Sequence, residues 1–96
     1  MSDKLTGTET RQKRILWRAR HRGTKEMDLM LGRYAEENLS AMNADQLNEF
    51  EAILDVSDAV LIDWLTGKSP TPEEFQTPMF ARIKAQSFLP VDYKKL

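Results

Sequence analysis

The strongest constraint on this 96-residue chain is one apolar stripe. Met27, Met30, Leu31, Tyr34 and Ala35 recur at i, i+3, i+4, i+7 and i+8. That spacing lines one face of an α-helix and no face of a strand. A helix apolar on one side must bury that side against other elements, so the chain needs partner helices around this one. The pattern predicts a helix from Lys25 to Asn38 or Leu39, with Asp28, Arg33, Glu36 and Glu37 facing out. Gly32 lies within it, at a cost of about 1 kcal/mol against alanine. Its missing side chain would let another helix come close. The methionines read as core filler.

The partner helices can be placed from the same periodicity. Upstream, a helix is expected from Thr8 or Glu9 to His21. Ile15, Leu16 and Ala19 form its narrow apolar strip, with Trp17 to one side. Downstream, Asn43-Ala44-Asp45-Gln46 has nearly the spacing of a capping box and opens a helix with Leu47, Phe50, Ile53 and Leu54 along it. Ser57 or Asp58 starts a short helix to about Thr66, expected to carry Val60, Leu61, Trp64 and Leu65 inward, with Gly67 as its stop. Lys68 to Pro72 reads as a loop, because each proline disfavours helix in the residue before it. Thr71-Pro72-Glu73-Glu74 and Thr77-Pro78 compete to start the last helix. Starting at the first would bury Pro78 inside a helix, which costs about 3 kcal/mol. The expectation is therefore a single turn at 72–75 and a helix from Pro78 to about Ser87, with Met79, Phe80 and Ile83 inward. No segment alternates as a strand would. The fold class expected is all-α, a compact bundle of five short helices over residues 9–88. Residues 1–8 would be a flexible arm and residues 89–96 a loose tail.

Between the first two helices runs Arg20-His21-Arg22-Gly23-Thr24-Lys25-Glu26-Met27-Asp28. Glycine adopts φ > 0 without a Cβ clash and is common just past a helix end. Arginines suit the negative end of one helix, and Glu26 and Asp28 suit the positive start of the next. A tight corner follows, expected to bring the Arg22 guanidinium, the bare Gly23 backbone and the Glu26 carboxylate close together.

Composition narrows the chemistry. With no cysteine, disulfides, thiolate metal sites and cysteine nucleophiles are excluded. The one histidine, His21, rules out multi-histidine metal sites and leaves little for acid–base chemistry. No phosphate-cradling glycine loop, zinc spacing or calcium loop is present. No apolar run approaches the ~20 residues that span a bilayer, so no membrane association is expected, and the first residues lack the apolar stretch of a secretory signal. Charge is divided along the chain. Residues 1–25 hold eight cations and two acids, net +6, whereas residues 26–75 hold two cations and twelve acids, net −10. The remaining residues are net +3. Such a dipolar chain either steers a charged partner or lets its basic and acidic helices attract each other within the fold. Arg11, Arg14, Arg18 and Arg22, spaced by three and four, could line the first helix and touch phosphates, which makes a small nucleic-acid module the alternative reading. The acidic middle segment and a pI near 5.8 weigh against it.

Arg22-Gly23-Thr24-Lys25-Glu26 resembles the Arg-Gly-x-x-Glu motif of the succinate dehydrogenase flavinylation factors, the SdhE-type FAD assembly factors of bacteria and mitochondria. Arg14-Ile15-Leu16-Trp17 followed by Arg20-His21-Arg22-Gly23 resembles the run that leads into that motif. Asp63-Trp64-Leu65 and the proline-bearing Lys68 to Phe75 segment resemble the family's fourth helix and the loop after it. The likeness covers roughly residues 11–88 and departs from the family at Pro78, in the arm and in the tail. It implies a five-helix bundle that is an assembly factor rather than an enzyme. Such a factor binds the flavoprotein subunit of succinate dehydrogenase, and in some bacteria that of fumarate reductase, and promotes covalent attachment of FAD to it. It would hold no FAD stably itself. Arg22, Gly23 and Glu26 would form the docking surface, with Arg18, His21, Lys25 and Asp28 beside them. The compartment implied is the bacterial cytoplasm, or the mitochondrial matrix in a eukaryote.

Overall fold

In the computed structural model, which describes residues 7–86, five α-helices follow one another in the order the apolar stripes predict. They are α1 (Gly7–Arg20), α2 (Lys25–Asn38), α3 (Ala44–Leu54), α4 (Asp58–Leu65) and α5 (Pro78–Ala85). Short 3-10 turns lie at Leu39–Ala41 and Glu73–Phe75. Among the described residues no strand is present. The first helix begins earlier than expected, at Gly7, so residues 7 and 8 belong to it rather than to an arm. Apolar periodicity marks only where a helix meets the core, and a polar first turn beyond the core leaves no such trace. The rest of the expected arm, and the tail at 89–96, lie outside the described residues.

The starts of the helices follow their local chemistry. Asn43 and Gln46 form a full capping box, each side chain bonded to the other's backbone N–H at 2.8 and 2.9 Å. Thr77 caps α5 by accepting from Phe80 N at 3.1 Å, with Pro78 at the first helical position. The proline-bearing start at 72 yields only the 3-10 turn, as the position of Pro78 requires.

Nineteen apolar side chains form one buried core, with Phe50, Ile15, Met27, Leu31, Leu47, Leu61 and Ile83 the largest fully buried among them. α1 packs chiefly on α2, and α3 on both α1 and α5. Tyr34 of α2 meets Phe50 of α3 with ring centroids 5.7 Å apart. Trp64 of α4 lies half-buried between Phe75 and Phe80, at 5.1 and 6.2 Å, and so ties the 73–75 turn and α5 to α4. Val60 corrects the sequence reading. It was expected inward, but it is 42% exposed. Leu61, Ile62 and Leu65 take the inner side of this two-turn helix, and at about 100° per residue Val60 then falls well round the cylinder from them. Gly32 is where α1 comes close, since a methyl group there would meet Arg20 Cγ at 2.9 Å.

Part of the uneven charge is paired within the fold. Arg11 bonds Glu51 and Asn48, Arg18 bonds Asp55 at 2.7 Å, and Arg22 bonds Asp58 at 2.8 Å. Arg20 pairs with Glu36 across the α1–α2 seam. The basic first helix is thus stitched to the acidic elements that follow it.

Candidate functional site

The α1–α2 corner is built from backbone restraints. His21 N donates to Arg18 O at 3.3 Å and tightens the end of α1. Gly23 then takes φ of 116°, where a side chain is strained. Thr24 caps α2, its hydroxyl accepting from Met27 N. The Asp28 carboxylate turns back to accept from Arg22 N and Gly23 N. Expected to face out, Asp28 is instead partly buried and acts as the corner's internal acceptor, because two N–H groups left over at the bend lie within its reach.

Arg22 also departs from the sequence expectation. Its guanidinium is bonded within the fold, not to Glu26. It crosses to the loop between α3 and α4, where Nε donates to Asp58 Oδ1 at 2.8 Å and the terminal nitrogens donate to Leu54 O and Val56 O. Only 9% of the side chain is exposed. Three acceptors at the end of α3 and the start of α4 match the forked donors of an arginine, which is why the side chain turns inward. Arg22 therefore clamps the corner to the other half of the bundle.

Other candidate residues remain at the surface. Gly23, Lys25 and Glu26 are exposed. Lys25 and Glu26 make no side-chain bond among the described residues, and a methyl group placed on Gly23 would touch nothing within 4 Å. Arg18 stays partly exposed in its pair with Asp55. His21 stacks on Trp17, with ring centroids 4.2 Å apart and planes 16° apart, and its Nδ1 donates to Trp17 O at 2.7 Å. The bend thus presents a smooth glycine, a free carboxylate and a free ammonium on a stiff mount. Two exposed apolar neighbours escaped the sequence reading as site residues: Leu29, 52% exposed on the turn after Glu26, and Trp17, 61% exposed. The signal for both was position. Each lies off the apolar stripe of its own helix.

Of the four arginines that a phosphate-binding helix would use, Arg11, Arg18 and Arg22 are held by carboxylates of the same chain. Arg14 alone of the four has no carboxylate partner among the described residues. Among those residues no cluster of His, Asp and Glu could hold a metal ion, and no helix is long and apolar enough to cross a membrane.

Known proteins resemble this chain over most of its length. The family model described as "Flavinator of succinate dehydrogenase" matches residues 13–87. The FAD assembly factor SdhE of Acetobacter pasteurianus is 44% identical over 77 residues, which are 80% of this chain and 71% of that protein. The mitochondrial succinate dehydrogenase assembly factor 2 of Yarrowia lipolytica is 35% identical over 80% of this chain and 56% of its own length. The mitochondrial succinate dehydrogenase assembly factor 2-B of Drosophila melanogaster is 33% identical over 79% of this chain and 50% of its own. The chain thus spans about half the length of these mitochondrial relatives. With the match running from the middle of α1 past the end of α5, through the open glycine corner, the chain belongs to the family of succinate dehydrogenase flavinators.

Proposed function

We propose that this chain is a non-catalytic assembly factor that docks on the flavoprotein subunit of succinate dehydrogenase and promotes covalent attachment of FAD to it. Family membership supports the client. The observation that carries the docking surface is the open Gly23 on a clamped bend. A backbone without a side chain can be approached closely by another polypeptide, and the Arg22 clamp keeps that backbone in one shape before the partner arrives. Ordering that is already complete does not have to be bought at the contact. Glu26 offers a carboxylate to the client's donors, and Lys25 a cation beside it.

FAD belongs to the client in this reading. Joining the flavin to a client histidine requires the flavin methyl carbon to be held against the histidine nitrogen, and correct alignment alone can lower such a barrier by several kcal/mol. A small rigid bundle pressed on the client fixes the client's mobile part around its own FAD, without lending a reacting group. Flavoproteins of the fumarate reductase type are a second client class. The place of work is the bacterial cytoplasm or, in a eukaryote, the mitochondrial matrix.

The test uses two substitutions at one site. The positive φ of Gly23 strains any side chain, so Gly23→Ala and Gly23→Arg carry similar backbone strain and differ in bulk. Gly23→Arg is expected to abolish client binding and covalent flavin, read by in-gel fluorescence of the client. Gly23→Ala is expected to retain much of both. Full flavinylation with Gly23→Arg would overturn this role for the corner.

A further inference from the structure

We propose that the outward face of α1 is a second anchor for the flavoprotein, receiving an acidic segment of its surface around Trp17; this rests on the docking reading above. At about 100° per residue the helix sorts its side chains cleanly. Ile15 and Ala19 point into the core. Arg11 and Arg18 flank them on the side of α3, and Gln12 and Arg20 flank them on the side of α2, bonded to Leu39 O and Glu36. What remains, directly opposite the core, is Thr10, Lys13, Arg14, Trp17 and the following His21.

This residual face has a definite chemistry. Lys13 and Arg14 are exposed and make no ion pair among the described residues, unlike Arg11, Arg18, Arg20 and Arg22 of the same segment. The nearest carboxylate on α1 is Glu9, at the edge of this face about 40° round the helix from Lys13. At its centre Trp17 is the most exposed large apolar side chain of the described protein, at 61%. His21 stacks on the indole and bonds the Trp17 carbonyl, so the ring is held in place while most of it stays in water. A fixed tryptophan loses little freedom on binding, and tryptophan and arginine are both enriched among the residues that dominate binding at protein interfaces. The unpaired cations call for an acidic occupant. The stack ends two residues before Gly23, so this face lies close to the open bend, and one client can reach both.

The test measures binding of the full chain to the purified flavoprotein subunit by titration calorimetry at several salt concentrations, with thermal unfolding of every variant. Trp17→Ala is expected to weaken binding at least about tenfold, and Trp17→Phe to restore most of it, with unfolding temperatures unchanged because the residue lies outside the core. The double variant Lys13→Glu, Arg14→Glu is expected to weaken binding and flatten its salt dependence. If Trp17→Ala and the double variant bind as the unchanged chain does while Gly23→Arg abolishes binding, the second anchor is wrong and the docking reading stands. If the unchanged chain fails to bind the flavoprotein, both fall. If single-stranded RNA binds and the double variant loses it while flavoprotein affinity is untouched, the face belongs to nucleic acid and the proposal is overturned.

Discussion

Arg22→Ala should behave as a folding defect before it behaves as a binding defect. The substitution leaves Leu54 O and Val56 O without their donors and strands the partly buried Asp58 carboxylate. A hydrogen bond involving a charged group contributes about 1.5–3 kcal/mol, and breaking a buried ion pair by removing one partner costs about 3–5 kcal/mol. These terms overlap at one guanidinium. Water can reach the Asp58 side, whose side chain is 19% exposed, so a loss of about 3 kcal/mol is expected. For a domain of this size that lowers the unfolding temperature by roughly 12–24 °C. Arg22→Lys should recover only part of the loss, because a single ammonium cannot reach three separated acceptors. Urea denaturation with matched slopes is the measurement. A loss below about 1 kcal/mol for Arg22→Ala would refute the clamp and return Arg22 to the candidate docking residues.

Three further outcomes are expected. Glu26→Ala should change stability by less than about 0.5 kcal/mol, since the carboxylate makes no bond among the described residues, while covalent flavin on the client falls; a large stability loss in denaturant would assign Glu26 to the fold instead. Thr24→Ala removes the cap on α2 and should cost about 1 kcal/mol by the same denaturation assay. Gly32→Val forces branched bulk against Arg20 Cγ, already 2.9 Å from where a Cβ would stand, and should cost about 1–3 kcal/mol and loosen α1 from α2, read as faster hydrogen exchange along α1.

Much of the fold could be read along the chain because each helix carries its own start signal and stripe. The capping box at Asn43 and Gln46, the Thr77-Pro78 start and the 27/30/31/34/35 stripe are local facts, and local facts are legible in sequence. The corner itself was legible for the same reason, since Gly23 needs only its own φ to be recognised. Arg22 and Asp28 were misread because their partners are decided by tertiary structure. Nothing near Arg22 in sequence reveals that Leu54, Val56 and Asp58 will converge on it. Asp28 looked like an exposed helix residue because it lies off the stripe, and only the closed bend supplies the two N–H groups it accepts from. Val60 failed for another reason. In a helix of eight residues, Leu61, Ile62 and Leu65 face inward and Trp64 packs beside them, which leaves Val60 on the outer side. Trp17 and Leu29 carried information as misfits, apolar where their helices are otherwise polar.

The Arg22 clamp joins residues 36 positions apart. During synthesis α1, the glycine and α2 all emerge before Leu54 to Asp58 exist to receive the guanidinium. A nascent chain at that stage carries the whole recognition sequence on a bend held only by its own local bonds and the α1–α2 contact, without the clamp. The clamp forms only once the third helix and the start of the fourth have left the ribosome, so a fragment ending at α2 would own the motif and lack its brace.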